Sequence, residues 1–292
     1  MRAALIKLLL WFFSLLPLRV AHAMGAIIGT WFVFVPNQLR TITRINTALC
    51  FPGMGKRERV RLLHRSLIET GKTMAEMGAL WLWPRDKMLG LVTQISGEHL
   101  VKEALAQGKG MILAVPHLGA WEVVGLYCSA HYPITSLYRP PRLSVLDDMM
   151  RTARQRLGAT LVPTDARGIR ALYRALEKGE MAGILPDQEP GAGSGIFAPF
   201  FGVPAYTMVL VARLALKTKA PVIFAYAERL PLGGGYHLHF SRAPHTIHEG
   251  SVEDSTCCVN AMVEECVRAL PDQYQWSYKR FRSRPAGEQR YY

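Results

Sequence analysis

The sequence predicts an α/β fold in which a mostly parallel central sheet is flanked by helices and preceded by an apolar, membrane-anchoring helix at the amino terminus. From about residue 90, short β-rich apolar runs alternate with longer helical stretches, which is typical of a parallel sheet covered by helices. Before that point, residues 3–36 are nearly all apolar. Half of the 292 residues are apolar and a fifth are charged, which excludes a disordered chain.

Four parts are distinguished along the chain. Residues 1–36 form the predicted membrane anchor, and residues 37–90 form a basic amphipathic helical segment. The α/β domain spans residues 91–278, and residues 279–292 form a polar, basic tail that we expect at the surface.

The amino-terminal segment is interrupted. A helix that crosses a bilayer needs about 20 apolar residues, whereas Pro17, Arg19 and His22 divide this segment into two blocks. A tilted span, a shallow hairpin and a helix lying on the membrane surface all stay open. A cleaved signal peptide is the main alternative, because Ala21-His22-Ala23 resembles a cleavage site. Against it, the chain is apolar again after that point.

Charge and cysteine content restrict the partners and the compartment. Residues 37–72 contain eight lysine and arginine residues against two glutamates, a bias typical of the cytoplasmic side of a membrane. The net charge of +13 predicts a positive surface that attracts nucleic acid, acidic lipid or an acidic protein. Five cysteines without a C-x-x-C pair favour a reducing compartment over a disulfide scaffold.

The α/β domain is expected to contain both element types in alternation. Predicted strands span residues 91–95, 111–115, 134–138, 160–162, 182–185, 222–227 and 237–240. Predicted helices span residues 99–107, 120–131, 144–157, 168–178, 207–217 and 252–270. The glycine-rich stretch 190–195 follows a buried strand, which predicts a mobile loop beside a site.

One segment combines the features of a catalytic site. The apolar strand 111–115 leads into a polar turn with His117, and Glu122 follows where a helix begins. Ligands bind at the carboxyl ends of the strands in such sheets, so we expect His117 at the rim of that crevice. A carboxylate that holds one imidazole nitrogen leaves the other free to accept a proton from a hydroxyl. The same spacing also fits a helix-capping histidine and a surface glutamate.

Other chemistries lack their residue patterns. The chain contains no G-x-G-x-x-G, no G-x-x-x-x-G-K-[ST] and no H-E-x-x-H, which argues against dinucleotide, nucleoside triphosphate and zinc protease sites. Ser194 does not lie in a G-x-S-x-G context, which argues against a hydrolase nucleophile. His237 and His239 alternate onto one strand face, with His245 and His248 nearby, which leaves a metal site as one interpretation. A polar strand face explains the same spacing without a metal, and we expect none.

Four ordered motifs resemble those of one enzyme family. They are Pro116-His117-Leu118-Gly119-Ala120-Trp121-Glu122, Tyr138-Arg139-Pro140, Asp187-Gln188, and the run from Pro199 to Thr207. Together they resemble the late acyltransferases of lipid A biosynthesis, a branch of the lysophospholipid acyltransferase superfamily. The likeness extends from the predicted membrane anchor, residues 1–36, to the carboxyl-terminal region. The family commonly has asparagine where Ala120 stands, and often asparagine or glycine where Pro116 stands.

The resemblance implies transfer of a fatty acyl group from acyl carrier protein to a hydroxyl of an acylated glucosamine disaccharide. It places this reaction at the cytoplasmic face of the bacterial inner membrane. His117 would be the general base and Glu122 its orienting partner, a role that contributes about 10²- to 10⁴-fold in rate. Backbone N–H groups near Gly119 are candidates to stabilise the developing oxyanion. No metal and no cofactor is expected.

Position in the sheet suggests further site residues. Arg139 lies beyond a predicted strand and Arg154 on the following helix, so either guanidinium is a candidate to bind a glycolipid phosphate. Asp187 and Gln188 end another strand and are expected to orient the acceptor or the adjoining loop. A surface arginine and a structural aspartate are the alternatives. Three residues are assigned to the acyl path, with ordinary core as the alternative: Phe200, Phe201 and Pro204.

The expected partners are all acidic, which agrees with the positive net charge. They are acyl carrier protein, an anionic glycolipid acceptor and inner-membrane lipid, and no nucleic acid is expected because aromatic and basic residues are not interleaved. A related acyltransferase with another phospholipid or glycolipid acceptor, and a non-catalytic protein that binds acidic lipid, are the alternatives. The acyl-chain length and the acylated position stay open.

Overall fold

The computed structural model describes residues 2–141 and 146–292. Five helices precede the central sheet: α1 (Arg2–Leu15), α2 (Leu18–Phe34), α3 (Gln38–Cys50), α4 (Lys56–Leu82) and α5 (Arg85–Leu89). Pro17 and Pro36 lie at the two breaks on either side of α2, because proline lacks the N–H that an uninterrupted helix needs. The predicted membrane anchor, residues 1–36, is expected to be one helix and instead contains two, α1 and α2.

Helices α2 and α4 pack with their backbones in contact. Gly25 and Gly29 of α2 face Gly71 of α4, and a Cβ added at Gly71 would lie 2.1 Å from the Gly25 carbonyl oxygen. Only glycine permits this approach. Among the described residues, no single helix is long and apolar enough to cross a membrane, while α2 and α3 meet that criterion only as a pair bent by 79°. Membrane anchoring stays a prediction.

A seven-stranded sheet forms the centre of the fold, and its strands are β1 (Val92–Ser96), β2 (Met111–Ala114), β3 (Ile134–Tyr138), β4 (Thr160–Pro163), β5 (Met181–Ile184), β8 (Val222–Arg229) and β9 (Tyr236–Arg242). Their order across the sheet is β1-β9-β8-β2-β5-β3-β4. Strands β6 (Gly195–Phe200) and β7 (Val203–Met208) form a separate hairpin. Among the described residues, the β8–β9 pairing is the one antiparallel pairing within this sheet, so the predicted α/β fold with a mostly parallel sheet flanked by helices is confirmed.

In the part of the chain that the structure describes, six α-helices connect and cover the strands. They are α6 (Glu98–Ala106), α7 (Trp121–His131), α8 (Asp147–Gln155), α9 (Ala166–Glu177), α10 (Leu210–Thr218) and α11 (Val252–Ala269). The start of the helix predicted over 144–157 lies outside the described residues, and α8 is its described part.

The β6–β7 hairpin is absent from the predicted elements. Its turn consists of Phe201 and Gly202, which both have positive φ, at 51° and 75°, as the tightest hairpin turns require. The hairpin takes Gly195 out of the predicted mobile loop, and it delays the helix predicted from Thr207 until Leu210. A single apolar run conceals two short strands here, because the turn residues are themselves part of the run.

Two clusters of buried side chains lie on opposite faces of the sheet. Met111 and Leu113 of β2 belong to one cluster, whereas Ile112 and Ala114 belong to the other, because successive strand residues point to opposite faces. Every residue of β2 is buried, as expected for a central parallel strand. The strand thus forms a rigid support for the turn that follows it.

The carboxyl-terminal segment begins inside the core. Arg280 is 2 % exposed and Phe281 is fully buried, and the Arg280 guanidinium donates to Tyr206 O at 2.8 Å and to Thr207 Oγ1 at 2.7 Å. The expectation that residues 279–292 form a surface tail is therefore wrong for its first residues. The Arg280 guanidinium and the Phe281 ring pack against the β6–β7 hairpin, since Arg280 binds β7 and the Phe281 ring lies near that of Phe200.

A buried ionic network joins the amino-terminal helices to the sheet. The Glu76 carboxylate of α4 accepts from Arg229 Nε at 2.8 Å, from Arg229 Nη2 at 2.6 Å and from the Tyr236 hydroxyl at 2.9 Å. His22 Nε2 of α2 lies 2.9 Å from the same carboxylate. Burial alone would raise the pKa of Glu76, but Arg229 and His22 outweigh it and lower the pKa from 4.5 to about 2.

Substitution of Glu76 by Gln should lower the free energy of unfolding by about 3–5 kcal/mol, because the buried Arg229 charge loses its partner. The depressed pKa means that this stabilisation is complete above about pH 4.5 and is lost as the pH falls towards 2. Urea unfolding of the full chain at pH 7 and pH 4 measures both effects. Arg242→Gln, which breaks an exposed ion pair with Glu103, should cost at most about 1 kcal/mol, and an equal cost for both variants would contradict the prediction.

Candidate active site

The turn after β2 places His117 at the carboxyl end of the sheet, as predicted. Gly119 has φ +59°, and a Cβ added there would lie 1.9 Å from Ala227 O, so this position requires glycine. The Gly119 N–H donates to Gln273 O at 3.0 Å and the Ala120 N–H to Ala227 O at 2.8 Å. The turn is therefore fixed on two sides before α7 begins.

Asp187 orients the His117 imidazole. Its Oδ1 lies 2.8 Å from His117 Nδ1, and its Oδ2 accepts from the His117 backbone N–H at 2.9 Å. The side chain of Asp187 is only 2 % exposed. Burial alone would raise the pKa of Asp187, but His117 outweighs burial and lowers it. Asp187 is therefore ionised at neutral pH, and a carboxylate that can only accept makes Nδ1 the protonated nitrogen.

The second imidazole nitrogen of His117 is consequently an acceptor. Gln188 Nε2 lies 3.1 Å from His117 Nε2 and also donates to Gln275 Oε1 at 3.2 Å. The Trp121 ring packs beside the imidazole, with the two ring centroids 5.1 Å apart. The lone pair on Nε2 can thus accept a proton from a bound hydroxyl, while Asp187 stabilises the resulting imidazolium.

Glu122 does not orient His117, contrary to the sequence prediction. Its carboxylate binds Arg154 of α8, which donates through Nε at 3.1 Å to Oε2 and through Nη2 to Oε1. Glu122 lies in the first turn of α7, and the carboxylate bonded to the imidazole comes from the end of β5 instead. The proposed phosphate-binding role of Arg154 is weakened for the same reason, because its guanidinium already has a bidentate partner.

A narrow apolar cavity of about 60 Å³ lies beside the Glu122–Arg154 pair. Strands β2, β3, β4 and β5 contribute to its walls together with α7. The lining residues are Leu113, Val115, Trp121, Glu122, Gly125, Leu126, Ile134, Ser136, Leu137, Arg154, Ala159, Leu161, Gly183, Ile184 and Leu185. Trp121 is the link between the two, because its side chain lines the cavity and its ring packs beside the His117 imidazole.

The residues assigned to the acyl path lie elsewhere. Phe200 is 1 % exposed and Phe201 is 8 % exposed, and the two rings pack on each other with centroids 4.9 Å apart. Both belong to the core cluster on the other face of β2, and neither these rings nor Pro204 lines the cavity beside Glu122. The two phenylalanines are therefore core residues, which is the alternative given for them, because the hairpin folds onto the core.

Arg139 follows β3 and is exposed at the same edge of the sheet as His117. Two glutamines that support the site are absent from the predicted site residues: Gln273, whose carbonyl oxygen accepts from Gly119, and Gln275, whose Oε1 accepts from Gln188. No pattern marks them, since they lie in an irregular segment more than 150 residues after His117. The sequence predicts Asp187 and Gln188 as site residues, but not that they contact the two imidazole nitrogens of His117.

An imidazole with one nitrogen held by a carboxylate and the other accepting is suited to removing a proton from a hydroxyl. The sequence matches the family of bacterial lipid A biosynthesis acyltransferases over residues 2–283. The chain belongs to this family and is an O-acyltransferase, which confirms the resemblance seen in the four motifs.

Relatives of this family align over nearly their whole length. The lauroyltransferase of lipid A biosynthesis from Escherichia coli K12 is 28 % identical over 95 % of this chain and 90 % of its own. The palmitoleoyltransferase of that strain is 27 % identical over 97 % and 92 %, and its myristoyltransferase 26 % identical over 94 % and 85 %. Three relatives named for different acyl groups are thus almost equally similar to this chain.

The Glu122–Arg154 pair should be tested by a double-mutant cycle on the free energy of unfolding. Glu122→Ala should cost about 3 kcal/mol, because it leaves a partly buried guanidinium without its carboxylate. The double variant Glu122→Ala, Arg154→Ala should cost much less than the sum of the two single variants, which gives a coupling energy of about 1–3 kcal/mol. The exposed pair Asp165–Arg167 is the matched control, and additive costs at Glu122 and Arg154 would refute the pairing.

Proposed function

We propose that the protein transfers a fatty acyl group from the thioester of acyl carrier protein to a hydroxyl of a lipid A precursor, with His117 as the general base. The observation that carries this proposal is the hydrogen bond between Asp187 Oδ1 and His117 Nδ1. It leaves Nε2 as the basic atom at the carboxyl end of the sheet, where ligands of α/β folds bind.

The chemistry follows from that orientation. Nε2 takes the proton of the acceptor hydroxyl as its oxygen attacks the thioester carbonyl, and the imidazolium then protonates the departing thiolate. Asp187 stabilises the imidazolium without being protonated itself. A hydroxyl is a weak nucleophile at neutral pH, so removal of its proton during attack is the main contribution of this pair.

Gln188 is the proposed donor to the oxyanion. The backbone N–H groups of Leu118, Gly119 and Ala120 are already bonded to carbonyl oxygens, so the donors expected near Gly119 are not available. The Gln188 amide lies beside Nε2 and can turn towards the carbonyl oxygen when substrate displaces its present contact. One such donor contributes about 10²- to 10³-fold in rate.

The two substrates are assigned to different parts of the site. The cavity beside Glu122 and Arg154 is apolar apart from that pair and Ser136, which suits part of an alkyl chain, because its volume of about 60 Å³ is too small for a whole fatty acyl group. Exposed Arg139 is proposed to bind a phosphate of the glycolipid acceptor. Acyl carrier protein is acidic, and the net charge of +13 favours its approach.

The amino-terminal helices are proposed to contact the cytoplasmic face of the bacterial inner membrane. Exposed large apolar side chains are concentrated on α1 and α2: Leu5, Leu8, Leu9, Trp11, Phe12, Leu15, Val20, Ile27, Trp31 and Phe34. A groove of about 610 Å³ between α3 and α4 adds three cations, Arg44, Lys56 and Arg59. Apolar and basic residues together favour the surface of an anionic bilayer.

The catalytic proposal predicts that His117→Ala lowers acyl transfer at least 100-fold. Asp187→Asn should lower kcat by at least a similar factor, because an amide can donate to Nδ1 and thereby favour the wrong tautomer. The assay uses purified full chain, acyl carrier protein with radiolabelled acyl groups and lipid A precursor, with product identified by mass spectrometry. His99→Ala, an exposed histidine of α6, is the control. Full activity of His117→Ala would overturn the mechanism, and product on another lipid alone would overturn the acceptor.

The membrane proposal predicts that the double variant Trp11→Ser, Trp31→Ser binds anionic vesicles at least tenfold more weakly, since each buried indole contributes about 2 kcal/mol. Cosedimentation of the full chain with phosphatidylglycerol vesicles measures the partition. Phe197→Ser removes a comparably exposed aromatic ring from β6 and should have little effect. Unchanged binding of the double tryptophan variant would contradict membrane contact through α1 and α2.

A further inference from the structure

Three potential metal ligands meet on the antiparallel strand pair β8–β9. His237 and His239 lie on the same face of β9, and Glu228 of β8 is directly opposite His237 in the strand register. Glu228 Oε2 lies 3.0 Å from His239 Nε2 and 4.0 Å from His237 Nδ1. One ligand atom from each residue lies within 4.8 Å of the other two.

Neighbouring residues hold both imidazoles in place. Ser96 Oγ of β1 lies 2.8 Å from His237 Nε2, which leaves His237 Nδ1 directed to Glu228. Tyr226 stacks on His239 with the ring centroids 4.6 Å apart and the ring planes 15° apart. An outer hydrogen bond on the second nitrogen is the usual way in which a metal-binding histidine is oriented.

We infer that Glu228, His237 and His239 bind one divalent transition-metal ion, with zinc the best match to the donor set. Two imidazole nitrogens and one carboxylate oxygen are a common set of protein ligands for zinc, and a water can complete the tetrahedron. Magnesium and calcium prefer oxygen ligands and are not favoured here. The spacing of His237 and His239 alone indicates only a polar strand face, and the third ligand emerges from the pairing of β8 with β9.

The present separations are close to those of a bound site. Ligand atoms about 2.0–2.1 Å from a tetrahedral zinc ion lie roughly 3.3–3.5 Å from each other. The two distances from Glu228, 3.0 and 4.0 Å, bracket that value. The three side chains are between 19 and 33 % exposed, so small rotations can bring them together and an ion can enter from solvent.

The ion would clamp a strand that supports the His117 turn. Ala227, the residue before Glu228, accepts the hydrogen bond from the Ala120 N–H and forms a bridge with Gly119. None of the three ligands is hydrogen-bonded to His117 in the described part of the chain, so metal binding can be measured by itself, without an acyl-transfer assay. Its direct effect is to stabilise the β8–β9 pair.

Metal binding is tested with the untagged full chain after dialysis against a chelator. Zinc titration by calorimetry should show one ion per chain and raise Tm, and cobalt should give the visible absorption of a tetrahedral complex. His239→Asn and the near-isosteric Glu228→Gln should each weaken zinc binding at least tenfold. The double variant His245→Asn, His248→Asn, which removes two histidines from a nearby turn, should bind as the parent does.

Three outcomes would overturn the inference. They are the absence of stoichiometric zinc binding by the parent chain, unchanged affinity in both ligand variants, and an equal loss of affinity in the double histidine control. Circular dichroism of the metal-free variants separates loss of ligands from loss of fold. If His239→Asn fails to fold, Glu228→Gln decides the result, because it keeps the shape of the side chain.

Discussion

The hydrogen-bonded pair of Asp187 and His117 is the interaction on which the site depends. The two residues are 70 positions apart in sequence. Asp187 follows β5 and His117 follows β2, and these two strands are adjacent and parallel in the sheet. Two bonds from one carboxylate, to the ring and to the backbone of His117, determine both the position and the tautomer of the imidazole. Burial makes this bond strong, because a carboxylate removed from water has few other partners.

A buried ion pair, Glu76–Arg229, likewise joins the amino-terminal helices to the sheet that carries His117. Arg229 at the end of β8 is held by Glu76 of α4 and lies close to the turn supported by Ala227. The region that presents apolar residues outward is thus fixed to the strand that supports the His117 turn.

Two observations bear on which acyl group is transferred: the names of the relatives and the walls of the cavity. Relatives named for lauroyl, palmitoleoyl and myristoyl groups are similarly distant from this chain. The walls of the cavity come from four strands and from α7, and single methylene groups contribute only about 0.8 kcal/mol each. Under the proposal that the acyl chain enters this cavity, positions that carry no side chain, such as Gly125 and Gly183, leave room for it at separate places in the sequence.

Local pattern in the sequence determined the fold class, the seven strands of the main sheet and the position of His117, because alternating apolar periods and a strand–turn–helix junction are local features. The family followed from ordered motifs. Tertiary structure decided the partners: Asp187 instead of Glu122 for the imidazole, Arg154 for Glu122, and Glu228 opposite His237. Spacing within one segment suggests which residues are near each other, but strand order and register determine which side chains meet, and these depend on contacts between distant parts of the chain.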